Sequence, residues 1–148
     1  MVMVSQPVAS ELDEHDLLIH EFEGRTELVP EIRALARTKL ASRLSGWPDL
    51  VYDVTLALTE LMSNAIRHSL SGSDSGHVRV AIRLLDGPAV RVEVSDDGSE
   101  TTPLPNAAPE GATCGRGLHV VDALSESWGV RTGPRPVVWA VFTPGARA

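Results

Sequence analysis

The sequence predicts a two-layer sandwich of the α/β (α+β) class, with a mixed, mostly antiparallel sheet and its helices gathered on one face. Three patterns carry that reading. First, Val78, Val80, Ile82 and Leu84 alternate with Arg79, Ala81 and Arg83, and Val90, Val92 and Val94 alternate with Arg91, Glu93 and Ser95. Strict alternation gives each strand one buried and one wet face, which suits a sheet covered on a single side rather than a doubly wound parallel one. Second, residues 26–44, 50–68 and 115–124 carry apolar side chains at helical spacing. Third, the coarse order is β-α-α-β-β-α-β-β with no internal repeat and no linker, so residues 16–145 make one domain. Residues 1–15, acidic and without a long apolar run, form a flexible N-terminal segment.

Taken in order, Leu17-Leu-Ile-His-Glu-Phe-Glu23 has strand character and ends at Gly24-Arg25. A helix from Thr26 or Glu27 to Leu44 follows, with Pro30 in its first turn, where a missing N–H costs nothing. Ile32, Leu35, Ala36, Leu40 and Leu44 form its apolar stripe, and Gly46-Trp-Pro48 breaks it. Asp49 is the expected N-cap of a central helix over about 50–68. A Ser/Gly loop at 69–76 leads to the two alternating strands, which Asp86-Gly87-Pro88 joins. Residues 99–114 hold three prolines, no periodicity and no basic residue, and a loop of that length inside a compact domain is usually functional or disordered. Gly115-Arg-Gly117 then opens a helix with Leu118, Val121 and Leu124 on its apolar side. Trp128–Thr132 and Val137–Thr143 are the closing strands, around a turn at Gly133-Pro-Arg-Pro136.

Composition removes several function classes. At 148 residues and 43% hydrophobic content the chain can bury a real core. A net charge of −7 argues against nucleic-acid binding, which needs a basic face. The single Cys114 permits no intrachain disulfide, and the sequence shows neither a signal peptide nor a long apolar span, so a cytoplasmic location is expected. Of 13 basic residues only Lys39 is a lysine, and no glycine-rich loop precedes it, which excludes a P-loop or an ordinary protein-kinase lysine.

Three short segments carry the chemistry. Glu60, Asn64 and His68 lie four residues apart on the central helix, within an arc of roughly 80°. Ala57 lies in that arc, Asp53 and Arg67 in or beside it, and Val51, Val54, Leu58, Leu61, Met62 and Ala65 face the other way. The stripe suits a metal-bound ligand and equally a solvated helix face. An Asn oxygen is a hard neutral ligand for Mg²⁺, and a carboxylate one turn away can orient a metal-bound water or accept a hydroxyl proton. Asp96-x-Gly98 closes a strand: a buried carboxylate there can accept from the exocyclic amine of adenine, with Gly98 admitting the base plane, although taken alone the segment is more often an ordinary Asp-Gly turn. Gly115-x-Gly117-Leu118 opens a helix, whose N-terminal N–H groups bind phosphate.

In their order and context these segments resemble the three motif boxes of the GHKL ATPase superfamily, and within it the anti-sigma-factor serine/threonine kinases. Glu60-Leu-Met-Ser-Asn-Ala-Ile-Arg-His68 is similar to the first box, Val92-Glu-Val-Ser-Asp-Asp-Gly98 to the second and Gly115-Arg-Gly-Leu-x2-Val-x-Ala-Leu124 to the third. The resemblance covers roughly residues 17–143 and implies a Bergerat-type ATP-binding fold. It implies ATP or ADP with Mg²⁺ as cofactors: Asn64 on the metal, Asp96 on adenine with Gly98 beside it, and Gly115, Arg116, Gly117 and Leu118 at the phosphates. Glu60 would be the catalytic carboxylate, residues 99–114 the ATP lid, and Arg33 a contact to the protein partner. His68 would support the site or cap the helix. The family's partners would be a sigma factor and a small anti-anti-sigma (STAS-type) protein, and its members form homodimers near the first strand.

Two departures separate the functional readings. The family pattern has a second glycine where this chain has Glu100, and the stretch corresponding to the lid is short, Pro-rich and without a basic residue. A regulatory serine/threonine kinase needs both features to tolerate phosphotransfer, whereas a nucleotide-responsive anti-sigma or scaffold module needs neither. A two-component histidine kinase would add a helical dimerisation segment, and the sequence holds none.

Overall fold

A computed structural model describes residues 15–68, 76–96 and 113–145. Its elements follow the expected order: β1 (Asp16–Glu23), a 3-10 turn (Thr26–Leu28), α1 (Val29–Arg43), α2 (Pro48–His68), β2 (His77–Leu85), β3 (Ala89–Asp96), α3 (Thr113–Leu124), β4 (Ser127–Arg131) and β5 (Val137–Phe142). The strands form one sheet in the order β1-β2-β3-β5-β4. All four pairings are antiparallel, where the sequence reading allowed a mixed sheet.

The alternation read from the sequence becomes rows of apolar side chains across the sheet. Leu18 stands opposite Ile82, Ile82 opposite Val92, and Val92 opposite Ala140, while Leu84, Val90 and Phe142 make a parallel row. Residues directly opposite share a face, so these rows present one apolar surface. It is covered by α2, which packs on β2, β3 and β5, and by α1 and α3, which flank α2. Val29, Ile32, Ala36 and Leu40 bury the inner stripe of α1. On α2 the buried set is Leu50, Val51, Val54, Ala57, Leu58, Leu61, Met62, Ala65 and Ile66, which places the core between that helix and the sheet.

Helix boundaries shift from expectation for identifiable reasons. Before α1, the chain takes a 3-10 turn at Thr26–Leu28, and Pro30 then lies in the first α turn. The carbonyl of Trp47 accepts the Val51 N–H at 3.1 Å, so the cap is Trp47 and Pro48 is the first helical residue. Asp49, expected to cap the helix, instead sits inside the first turn, where its charge still complements the helix dipole. At α3 the helix begins two residues before Gly115, at Thr113. Glycine weakens a helix by only about 1 kcal/mol relative to alanine, so neither Gly115 nor Gly117 forces a boundary when Val121 anchors the helix in the core. The Asp86–Pro88 turn depends on Gly87, whose φ of 72° lies in the left-handed region that side chains disfavour.

The wet face of the sheet is also ordered. Trp139 on β5 stands opposite Glu93 on one side and Gly129 on the other. The Arg91 guanidinium lies 4.7 Å from the Trp139 ring centroid and pairs with Glu93 at 2.8 Å. The indole lies over Gly129 so closely that a Cβ there would come within 2.9 Å of the ring. Gly129→Ala is therefore expected to destabilise the protein by about 1 kcal/mol, because the ring must move and its stack with Arg91 loosens. In a Trp139→Ala background the same change should stabilise by about 0.5 kcal/mol, since alanine suits a strand better than glycine once nothing lies above it. Urea titration of the four proteins measures this reversal of sign, and equal effects in both backgrounds would reject the contact as its cause.

Candidate functional site

Three elements carry the motif residues, and α2 brings them together by packing against both β3 and α3. The polar stripe of α2 is not simply its solvated face. The solvated face lies elsewhere. Tyr52, 63% exposed, and Leu56, 38% exposed, mark the outward side of α2, together with the exposed Arg67. Asp53 and Ala57 are buried, and Glu60 and Asn64 are half-buried. At about 100° per residue, the line Asp53–Ala57–Glu60–Asn64 runs along the margin between the open and the packed sides of the helix. A stripe of that kind can form the wall of a pocket.

Asn64 makes the margin chemically specific. Its Oδ1 accepts a short hydrogen bond from an Arg67 Nη2, one turn on. Its Nδ2 is buried and has no hydrogen-bond partner among the described residues. A buried amide left unpaired costs about 1–3 kcal/mol, so native structures rarely keep one without a use for it. Oδ1 retains a second lone pair beyond the one Arg67 occupies. The side chain thus offers a neutral oxygen and an unused donor beside the Glu60 carboxylate. Among the described residues no three His, Cys, Asp or Glu side chains group as a metal cage. Mg²⁺ needs none, since it usually keeps its waters and takes one or two protein ligands together with substrate phosphates.

Asp96 is the last residue of β3 and only 3% exposed, paired with Val78 on β2. Its backbone carbonyl accepts from Arg135 Nε at 3.3 Å. A carboxylate held at the buried end of a strand, next to a helix bearing an amide and a second carboxylate, can recognise a hydrogen-bond donor on a flat base. Gly98, Glu100 and the loop at 99–112 lie outside the described residues. Gly115, Arg116 and Gly117 fall in the first turns of α3. The N–H groups that open a helix have no intrahelical partner, and here these include that of Gly115, the third residue of α3. Leu118 packs against the hydrophobic core, which gives it an anchoring place on α3. Arg33 is half-buried on α1, the helix that packs beside α2.

Two arginines at the site received no role from the sequence. Arg67 was placed near the stripe by its spacing, and its position three residues after Asn64 is the standard distance for a side-chain contact on a helix. Arg135 lies 39 residues from Asp96, and no local signal links the two.

Residues 22–142 match the histidine kinase-like ATPase domain family. Among curated proteins the chain is similar to the serine-protein kinase RsbW of Listeria monocytogenes, from serotype 4a and serotype 4b strains, at 26% identity over 85 residues. That alignment takes in 57% of this chain and 53% of the relative, so the chain spans about half the length of the curated relatives it matches. Among solved structures it is similar to the histidine kinase domain of the Erythrobacter litoralis EL346 blue-light activated histidine kinase, at 27% identity and a TM-score of 0.48, covering 63% of this chain and 44% of that one. The longer structure of the same kinase aligns at 27% identity and a TM-score of 0.49, covering 64% and 30%. With the family match running from β1 to the end of β5, across all three motif-bearing elements, the chain belongs to the histidine kinase-like ATPase domain family.

Proposed function

We propose that this protein is an ATP-binding regulatory kinase that acts as an anti-sigma factor and phosphorylates a serine or threonine on an anti-anti-sigma partner. The observation that carries the reading is the half-buried pair on α2, with Glu60 one turn before an Asn64 whose buried amide nitrogen has no partner among the described residues. Binding alone does not call for a carboxylate at that place. Relatives named as serine-protein kinases support the choice of hydroxyl acceptor.

In this reading Mg-ATP supplies the transferable phosphoryl group. Asn64 holds the metal through Oδ1, and Asp96 accepts a hydrogen bond from the exocyclic amine of adenine, beside Gly98. The N-terminal N–H groups of α3, around Gly115, Arg116 and Gly117, face the phosphates, where the helix dipole favours negative charge. Glu60 accepts the proton of the partner's hydroxyl as its oxygen bonds to phosphorus and the bond to the leaving ADP breaks. Arg33 contacts the protein partner. A sigma-factor partner would place the protein in the cytoplasm, and no helix among the described residues is long and apolar enough to cross a membrane. Two copies associate near β1, an edge strand that pairs only with β2 within the sheet.

A second reading is favoured by the substitution of Glu100 for a glycine and by the absence of basic residues from 99–112. Under it the protein binds nucleotide and partner without transferring phosphate.

Transfer of labelled γ-phosphate to a cognate partner separates the two. Glu60→Gln is expected to lower transfer by about 10²–10⁴-fold, the usual contribution of a positioned base, while nucleotide still binds. Normal transfer by Glu60→Gln would remove the base from the mechanism, and no transfer by the unaltered protein would favour the binding module. Calorimetry with Mg-ATP and Mg-ADP tests the pocket itself. Asp96→Asn should weaken both by about tenfold or more, because an amide presents a donor to the adenine amine and loses the charge. Light scattering is expected to give a dimer mass, and a monomer at high protein concentration would count against association at β1.

A further inference from the structure

Arg135 is placed by its sequence in an unusual way. It stands in Gly133-Pro134-Arg135-Pro136, the turn from β4 to β5, with a proline on each side. Proline fixes its own φ and biases the residue before it toward extended backbone, so little entropy is lost in presenting the arginine. The side chain reaches two different strands. Nε donates to the carbonyl of Asp96, at the end of β3, at 3.3 Å, and Nη2 pairs with Oε2 of Glu21, on β1, at 3.4 Å.

The register explains why a side chain is needed there. The β3–β5 ladder ends with Ser95 opposite Val137. Continued by one residue it would place Asp96 opposite Pro136, which has no N–H to give. The ladder therefore has no backbone donor for β3 at that point, and the neighbouring arginine supplies one. Glu21 holds the guanidinium from the other side. Both partners of that ion pair are about half exposed, 48% and 51%, so its effect on overall stability is small. Its effect on where Asp96 sits is local and direct.

We propose that Arg135 is a positioning residue for the nucleotide site: its bond to the Asp96 carbonyl fixes the end of β3 and thereby the carboxylate that reads adenine, with Glu21 orienting the guanidinium. This rests on the assignment of Asp96 to adenine. The inference makes recognition of the base depend on a turn 39 residues away in sequence.

The test is calorimetry of Mg-ADP and Mg-GDP with the unaltered protein, Arg135→Ala, Arg135→Lys and Glu21→Gln, with circular dichroism melting of each. Arg135→Ala is expected to weaken ADP by roughly three- to tenfold, the effect of one lost hydrogen bond, with GDP changed by less than about twofold. Its melting temperature should barely move. Arg135→Lys should recover part of the loss, since an ammonium can reach the carbonyl but lacks the fork that also engages Glu21. Glu21→Gln should give a smaller loss of the same selectivity. Unchanged ADP binding by Arg135→Ala, or an equal loss of ADP and GDP, overturns the proposal. Should Arg135→Ala fail to fold, Arg135→Lys and Glu21→Gln carry the comparison, and unchanged ADP-to-GDP ratios in both overturn it. No nucleotide binding by the unaltered protein overturns the nucleotide reading and this inference together, whereas binding that ignores Arg135 overturns the inference alone.

Discussion

Alpha2 must bury most of its circumference, and the site follows from that constraint. The helix packs against the sheet on one side and against α1 and α3 on the others. Seven large apolar residues are buried along it with Ala57 and Ala65, and even Asp53 and Thr55 are taken inside. Thr55 remains satisfied there because its hydroxyl donates to the Val51 carbonyl at 2.7 Å, within the same helix. What is left open is the narrow strip marked by Tyr52 and Leu56. Glu60 and Asn64 fall at its edge, so their backbone positions are set by a core formed for other reasons. A close-packed core resists small shifts, so the two side chains are held one turn apart on a rigid support.

The opposite face of the sheet solves a different problem. A two-layer fold leaves one face in water, and a wide antiparallel sheet with bare apolar rows would invite association. Here that face carries arginine–carboxylate pairs, Arg83 with Asp16, Arg91 with Glu93 and Arg135 with Glu21. Such pairs add little stability singly. Their value lies in laying long side chains across strands, as Arg91 does over Trp139. The guanidinium keeps its charge in water while its stem and plane shield the indole.

Patterns repeating along the chain were legible in the sequence, and contacts crossing it were not. Val78 through Leu84 and Val90 through Val94 announced their pairing by alternation, and their register proved to be a simple hairpin about Gly87. The buried side of α2 was equally readable, because Val54, Leu58, Leu61, Met62 and Ala65 keep helical spacing. The strand order was hidden: nothing local says that β5 inserts between β3 and β4. Helix starts were hidden too, since a carbonyl such as that of Trp47 can cap a helix as effectively as the side chain expected at Asp49. Within the site, the stripe from Glu60 to Asn64 was visible as spacing. That the Asn64 nitrogen has no partner among the described residues was not, because satisfaction of a polar group depends on every neighbour around it.

The two halves of the site are consequently held by unlike means. The α2 half is fixed by the core, and a change there large enough to move Glu60 would have to displace buried side chains such as Leu58 and Leu61 at a cost of several kcal/mol. The β3 half ends where its ladder to β5 runs out against a proline, and a half-exposed arginine ties its last carbonyl. Sequence change at the turn or at Glu21 can therefore alter how Asp96 is presented without displacing the side chains buried under α2.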